Sequence, residues 1–384
     1  MNNIKKSNTP ELRFPGFEGE WDKSKISTLF KISAGGDIDK AHVSKQKTKK
    51  FCYPIYANTA EKEGLYGYAD IYKIEPPVLT VAGRGVNIGI THVRHCEFYP
   101  IVRLLVLEPN VELVTSFFKF SINNLNIFIE STGVPQLTAP QISTYKIQYP
   151  TLPEQQKIAS FFTSIDKKIE LLKKKHSLLE QYKKGVMQKI FPSTGSGTSP
   201  EIRFKDSDGN DYADWEEKKL GEIVEISKGE QLNKENLTDT GYYPCVNGGV
   251  LPSGYTNKFN TIENTITISE GGNSCGFVNY FKSKFWCGGH CYKVQHKVDV
   301  FNKYLFQLLK YNEQKIMRLR VGSGLPNIQK KDVVNLKLLF AIDKTEQTKI
   351  ANFLSSIDKK IEKVQLQIDK AEEWKKGLLG RMFC

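Results

Sequence analysis

What this chain of 384 residues lacks narrows it first. No apolar run approaches the roughly 20 residues that cross a bilayer. The opening Met1-Asn2-Asn3-Ile4-Lys5-Lys6 has none of the apolar stretch of a secretory signal. The expected location is therefore the cytoplasm, with no membrane partner. Seven cysteines, an odd number, fall without a paired spacing and are expected as reduced thiols. No Gly-Lys-Ser/Thr follows a glycine at P-loop spacing, which excludes that phosphate cradle. Gly83-Arg84-Gly85 lacks the third glycine of a dinucleotide fingerprint and reads as a tight turn at a strand end.

Signs of catalysis are equally scarce. Glu75-Pro76-Pro77-Val78 departs at both ends from the Asp/Asn-Pro-Pro-aromatic motif of adenine methyltransferases and has no glycine-rich cofactor loop, so it reads as a rigid turn before a strand. Cys275, Cys287, His290, Cys291 and His296 crowd one stretch without the paired cysteine units of a zinc finger, and the first half has nothing equivalent. Ordinary buried thiols are the expectation there, and no metal site. The six histidines are dispersed, and no nucleophile–base pair or carboxylate cluster stands out. A non-catalytic binding protein is the better reading. A stand-alone methyltransferase or nuclease with an unrecognised site, and a coiled-coil adaptor, are the alternatives.

What is present is positive charge and repetition. Lys and Arg number 55 against 42 Asp and Glu, a formal net charge of +13. An excess of this size favours a polyanionic partner, nucleic acid above all. Glu154-Gln155-Gln156-Lys157-Ile158 through Ile169-Glu170 returns half a chain later as Glu346-Gln347-Thr348-Lys349-Ile350 through Ile361-Glu362, with thirteen of seventeen positions identical. Glu11-Leu12-Arg13-Phe14 is echoed by Glu201-Ile202-Arg203-Phe204, and Trp21 by Trp215. Gly133-Val134-Pro135-Gln136-Leu137 is echoed by Gly324-Leu325-Pro326-Asn327-Ile328, and Tyr182-Lys183-Lys184-Gly185-Val186 by Trp374-Lys375-Lys376-Gly377-Leu378. The stretches between diverge. A tandem duplication with divergent loops on a common frame suits two specificities. Because duplex DNA has a two-fold-related backbone, it also suits two half-sites.

The repeats carry the clearest secondary-structure signal. Ile158, Ile165, Leu172, Leu179 and Val186 recur every seventh residue, with Phe162, Ile169, His176, Lys183 and Ile190 as companions. The second copy runs Ile350, Ile357, Val364, Ala371, Leu378 beside Leu354, Ile361, Ile368, Lys375, Met382. This is an a/d seam over about five heptads, on helices of about 38 residues and roughly 57 Å. Ile158, Phe162, Ile165, Ile169, Leu172, Leu179, Ile350, Leu354, Ile357, Ile361, Val364 and Ile368 are expected to form the interface of an antiparallel pair. His176, Lys183 and Lys375 interrupt the seam, reaching out to solvent or fixing register. Pro153 suits the first helical turn, and Asp343 or Thr345 suits the cap of the second helix. Val78–Ala82 and Thr265–Ser269 read as strands, and Ser116–Phe120 and Phe301–Leu309 as helices. The expected fold is α+β, with pseudo-two-fold symmetry. A globular recognition domain occupies 1–151, a coiled-coil helix 152–191, a Pro/Gly/Ser/Thr linker 192–200, a second recognition domain 201–343 and a second helix 344–384.

The candidate nucleic-acid contacts are basic or amide side chains near turns. In the first half they are Lys45, Lys47, Lys49, Lys50, Arg84, Arg94 and Gln136. In the second half they are Lys228, Lys234, Arg318, Arg320 and Asn327. Lysines of this kind anchor phosphates, while Arg, Asn and Gln also read base edges.

The motif Leu152-Pro153-Glu154-Gln155-Gln156-Lys157-Ile158, running into Ile165-Asp166-Lys167-Lys168-Ile169 and ending Lys183-Lys184-Gly185-Val186-Met187, resembles the specificity subunits of type I restriction–modification systems. Its duplicate at Glu346 to Met382, the Trp21 and Trp215 frames and the two Gly-x-Pro turns extend the resemblance over essentially the whole chain. Asp343-Lys344-Thr345 departs from it where the family usually shows a proline. The resemblance implies two target-recognition domains, each reading half of a bipartite double-stranded DNA target, with the paired helices setting the spacer. It implies no catalysis and no cofactor in this chain. The implied partners are two modification subunits, which methylate adenine with S-adenosylmethionine, and two restriction subunits, which use ATP and magnesium.

Overall fold

The structure is a computed structural model that describes residues 8–59, 61–125, 127, 135–192, 199–322 and 324–383. Residues 1–7, Gly133, Val134, linker residues 193–198 and Cys384 lie outside the described residues. The chain divides into two compact units. Unit 1 takes Met1–Lys173 and Leu366–Cys384, and unit 2 takes Lys174–Gln365.

Unit 1 opens with β1 (Asp22–Lys25), α1 (Ile26–Leu29), β2 (Phe30–Ala34), β3 (Val43–Ser44), β4 (Tyr53–Tyr56) and β5 (Leu65–Ala69). It continues with β6 (Val78–Val81), β7 (Thr91–Arg94), β8 (Tyr99–Pro100), β9 (Leu105–Pro109), α2 (Thr115–Asn123), α3 (Ala139–Thr144), β10 (Lys146–Tyr149) and the first long helix, α4 (Leu152–Ile190). Three sheets result, in the orders β1-β10, β2-β9-β6-β7 and β3-β5-β4-β8. The interior strand β6 is buried at every residue, as its unbroken Val-Leu-Thr-Val run requires.

Unit 2 repeats the plan with β11 (Glu216–Lys219), α5 (Leu220–Ile223), β12 (Val224–Lys228), β13 (Tyr243–Val246), β14 (Gly254–Thr256), β15 (Thr265–Ser269) and β16 (Val278–Phe281). Then come β17 (Trp286–Cys287), β18 (Cys291–His296), α6 (Asn302–Tyr311), α7 (Glu313–Met317), α8 (Lys330–Val334), β19 (Lys337–Phe340) and the second long helix, α9 (Lys344–Met382). Its sheets are β11-β19, β12-β18-β15-β16 and β14-β13-β17, the same arrangement short of one edge strand. The expected strands and helices are all found. The short α1 and α5, one turn each, have no signal of their own in the sequence.

Each unit uses one end of both long helices. In unit 1, Ile158, Phe162, Ile165 and Ile169 pack into a core with Met382 and Phe383. In unit 2, Met187 and Ile190 share a core with Ile350, Leu354 and Ile357. Val364 and Ile368 are also buried, whereas Leu172, Leu179 and Ile361 are half-buried. The helices run antiparallel. In unit 1, Lys375 meets Asp166 at 2.5 Å while Glu372, a turn earlier on its own helix, meets Lys173 at 2.6 Å further along the other. Asp343 caps α9, its Oδ1 accepting from the amides of Thr345 (2.7 Å) and Glu346 (3.1 Å).

The polar residues of the seam have partners. Lys183 meets Asp358 at 2.6 Å in unit 2, the counterpart of Lys375 on Asp166 in unit 1. Asp166 also meets Lys119 of α2 at 3.1 Å, and Asp358 accepts from Gln307 of α6 at 2.7 Å. The two lysines therefore reach carboxylates on the opposite helix, the geometry of a register device. His176 instead stays on its own helix, 3.5 Å from Glu180.

The structure also explains why the Glu-Gln pair and the Glu-Leu/Ile-Arg-Phe segment recur together. Buried Glu154 receives Arg13 through two parallel bonds of 2.8 and 2.7 Å. Buried Glu346 receives Arg203 at 3.2 and 3.5 Å. Gln155 accepts from the Val114 amide (3.0 Å) and donates to the Pro150 carbonyl (2.8 Å). Gln347 does the same with Phe301 (2.9 Å) and Ala341 (2.8 Å). Leu12 and Ile202 donate their amides to the carbonyls of Arg381 and Lys189, near the far end of the other helix. Each segment thus ties the start of one long helix to the end of the other, and the motif is an internal clasp of buried, hydrogen-bonded side chains.

Candidate nucleic-acid interface

Unit 1 gathers four chain turns at one end of its sheets. Beyond β4, Asn58 accepts from the Gly83 amide (2.9 Å) and donates through its side-chain nitrogen to the Val102 carbonyl. Beyond β6, Gly83 accepts from the Leu137 amide at 2.8 Å, and Arg84 and Gln136 face each other as a backbone pair. A Cβ on Gly83 would lie 2.9 Å from the Leu137 carbonyl oxygen and 3.1 Å from that of Arg103, so only glycine lets these turns close together. Between β8 and β9, Val102 and Arg103 both hold left-handed backbone, at φ 52° and 56°. Non-glycine residues seldom adopt it, and a β-branched valine least of all. The turn presents the exposed Arg103 guanidinium 3.5 Å from Gln136 Oε1. Arg84, Arg103 and Gln136 therefore share one exposed tip.

Unit 2 builds the same tip with other residues. Gly271 pairs with Asn327 as Arg84 does with Gln136. Ile328 donates its amide to Glu270 (2.8 Å) and Gly272 to Pro326 (2.9 Å). Asn247, one position earlier in the strand register than Asn58, fastens this turn, its Oδ1 accepting from the His290 amide at 3.2 Å. His290 occupies the position of Arg103 and is likewise exposed. Beneath it lies Glu270, 6% exposed. Its carboxylate accepts from Lys228 Nζ (2.8 Å) and the Tyr292 hydroxyl (3.1 Å). Burial and the Glu270 charge push the Tyr292 phenol well up.

The other expected contacts separate. Lys45, Lys47, Lys49 and Lys50 are all exposed on the loop that leads into β4, at the opposite end of that strand from Asn58. Lys45 lies over the Tyr66 ring at 4.3 Å, and Lys50 is 3.7 Å from Asp70. Asp70 also accepts from His42 at 2.7 Å, the main reason its carboxyl is held below the usual range. Lys234 is exposed on a single turn of 3-10 helix, and Arg320 is exposed between α7 and the Asn327 turn. Arg318 does not join the tip: it lines a groove of about 710 Å³ with Lys183, Tyr311 and Asp358, on the helical side of unit 2. Lys228 is tied to Glu270 and neutralises a buried carboxylate.

Arg94 departs from the expectation altogether. It is 3% exposed, because its guanidinium lies 3.6 Å from the Tyr56 ring centroid and donates to Thr80 Oγ1 (2.9 Å) and the Glu63 carbonyl (2.7 Å). Burial lowers its pKa, and burial followed by the Arg94 charge lowers that of His92. Arg94 braces the interior of unit 1.

Cys275, Cys287 and Cys291 are buried thiols, and the hydrogen bond with the Cys291 thiol, followed by burial, pushes Cys287 up. Among the described residues no three His, Cys, Asp or Glu side chains are grouped as metal ligands would be. Sequence reasoning passed over Arg103, because Val102-Arg103 carries no Gly, Pro or Asn to announce a turn. It considered His290 only as a metal ligand. Asn247-Gly248 was a readable turn signal for the second tip.

No helix among the described residues is long and apolar enough to cross a membrane. The family model described as the type I restriction modification DNA specificity domain matches twice, at residues 18–181 and 212–371. A putative type I specificity subunit of Mycoplasma pneumoniae is 37% identical over 176 residues, 45% of this chain and 47% of that protein. One of Mycoplasma genitalium is 35% identical over 162 residues, 42% of each. The chain spans about half the length of these two relatives. A type I restriction enzyme specificity subunit of Methanocaldococcus jannaschii is 26% identical over 318 residues, 73% of this chain and 72% of that one. The crystal structure of the type I restriction-modification S subunit from M. genitalium has the same fold, with a TM-score of 0.72 at 18% identity over 98% of this chain and 99% of that one. With the duplicated frame and the doubled family match, the chain belongs to the type I restriction–modification DNA specificity family.

Proposed function

We propose that this chain is the sequence-specificity subunit of a type I restriction–modification complex and has no catalysis of its own. Each unit reads one half of a bipartite DNA target. The recognition domains are 1–151 and 201–343, the helical segments 152–191 and 344–384, with 192–200 as the linker. The helices set the unread spacer and dock two modification and two restriction subunits. S-adenosylmethionine, ATP and magnesium belong to those partners.

The observation that carries the reading is one frame bearing two different tips. The polar residues of the clasp and the lysine–aspartate pairs of the seam recur in both halves, whereas Arg84 and Gln136 give way to Gly271 and Asn327. An assembly that reads an asymmetric target needs that combination. Of the basic and amide side chains, Lys45, Lys47, Lys49, Lys50 and Lys234 would meet phosphates, and Arg84, Gln136, Arg320 and Asn327 would approach base edges. Arg94, Lys228 and Arg318 drop out of the contact set for the reasons above.

Methylome sequencing of a host with and without this gene, its partner genes present, tests the reading. One asymmetric bipartite adenine motif should appear with the gene and vanish without it. An unchanged methylome overturns the proposal. Label transfer to DNA by the purified chain alone would establish a catalytic protein instead.

A further inference from the structure

Arg103 and His290 occupy one position of the duplicated fold. Each follows a short strand of the smaller sheet, Tyr99–Pro100 or Trp286–Cys287, and each precedes the next strand of the larger one. In both halves an asparagine, Asn58 or Asn247, fastens that turn by hydrogen bonds. Both side chains are exposed, and each stands beside the turn that carries the amide residue, Gln136 or Asn327. In unit 1 the contact is direct, at 3.5 Å. In unit 2 it runs through Gly271, where a Cβ would lie 3.9 Å from His290 Nδ1 and whose backbone pairs with Asn327.

Two features say that the turn is built for its side chain. Val102 and Arg103 keep left-handed backbone that glycine would adopt without strain. Such strain persists only where surrounding structure holds it, and it clusters at functional sites. The unit 2 turn, Gly288-Gly289-His290, has no residue in left-handed backbone, so the strained conformation is no requirement of the fold. What the two turns share is an exposed, polar, nitrogen-bearing side chain at the same place. What differs is its chemistry: a five-donor planar fork in one, an imidazole in the other.

We propose that Arg103 and His290 are base-reading residues, one for each half of the target. Arg103 takes the O6 and N7 edge of a guanine, next to the base met by Gln136, and His290 takes a purine edge next to the base met by Asn327. The inference rests on the proposed role as a specificity subunit and names the readers within it.

The test uses the full chain assembled with its partner subunits, carrying Arg103→Ala, Arg103→Lys or His290→Ala. Each complex selects its target from duplex DNA with both half-sites randomised, and each methylome is sequenced. Arg103→Ala should relax one guanine position of one half-site, with a loss of discrimination of roughly 5- to 150-fold. The other half-site should be unchanged, which also certifies that the complex is folded. Arg103→Lys should relax the same position, because a point charge does not replace the bidentate fork. His290→Ala should alter only the other half-site.

Unchanged motifs in the Arg103 and His290 variants overturn the inference. Uniform weakening on all sequences with a shallower salt dependence also overturns it, since that marks a phosphate anchor, as does loss of both half-sites together. A wild-type complex that selects no bipartite target fails the specificity-subunit reading itself, before any variant is compared.

Discussion

The clasps of the two units agree almost bond for bond, while the tips agree only in backbone. Arg13 on Glu154 and Arg203 on Glu346, and Gln155 and Gln347 each bridging one amide and one carbonyl, are the same contacts made twice. At the tips the same hydrogen-bonded turns carry arginines and a glutamine in unit 1, and glycine, histidine and asparagine in unit 2. The lesson concerns how freely each position can vary. A buried ion pair or a buried glutamine with two backbone partners tolerates no substitution without leaving a polar group unsatisfied. An exposed side chain on a backbone-bonded turn can change without disturbing anything beneath it.

The largest break in the shared frame comes from the seam. Ile165→Asp and Ile357→Asp each place a carboxylate at a position 7% or 3% exposed, and each should cost about 3 kcal/mol or more. Denaturant unfolding should show the first acting on unit 1 and the second on unit 2. An equal effect of either variant on both units would mean that they do not fold as separate cores.

The clasp comes next and contains one informative asymmetry. Glu346 also accepts from the Trp215 indole at 3.1 Å, whereas the buried Trp21 nitrogen has no such partner among the described residues. Glu154→Ala removes the carboxylate partner of Arg13, which also donates to the carbonyls of Glu18 and Gly19, and should cost about 3 kcal/mol. Glu346→Ala should cost about 1 kcal/mol more, because the indole loses its acceptor as well. Equal losses in thermal or denaturant unfolding would show that the indole bond carries no weight.

Gln155→Ala and Gln347→Ala should each cost about 1–3 kcal/mol, from a buried amide and carbonyl left unpaired. Here the comparison sharpens if the two values match. The smallest effect belongs to the seam pairs. Double-mutant cycles on Lys183 with Asp358 and Lys375 with Asp166 should give about 0.5–1 kcal/mol of coupling each, falling as salt rises. A coupling near zero in one pair alone would show that register is held from one unit.

Acid should separate the units further. The depressed carboxyl of Asp70 stabilises unit 1 above about pH 4, the ordinary carboxylate range, and that contribution is lost as pH falls through its lowered value. The stability difference between wild type and Asp70→Asn should therefore shrink on acidification. A difference that grows in acid would contradict the assigned contact with His42.

The long helices were readable because a seven-residue period survives in the sequence whatever packs against it. So were Thr265–Ser269 and Val78–Val81, whose largely β-branched runs suit strands covered on both faces. The roles of Glu154 and Gln155 were not, since their partners lie far off in the chain and an acidic first turn looks like ordinary dipole chemistry. Arg94 misled for a related reason. A positive charge beside a glycine turn resembles a ligand contact until Tyr56, Thr80 and Glu63 are brought around it. The tips were half legible: Arg84, Gln136 and Asn327 stood at recognisable turns, but the Val102-Arg103 turn is made by tertiary contact and leaves no local mark.

Met382 and Phe383 complete the core of unit 1, where Phe383 stacks on Phe117 at 5.3 Å and meets Trp21 at 6.1 Å. The ribosome makes these two residues only after all of unit 2. The half that is synthesised first therefore waits longest for its missing wall, exposing Trp21, Phe117 and Phe162 in the meantime. A nascent chain halted between Gln365 and Met382 would hold every residue of the second unit while the first still lacked its last wall.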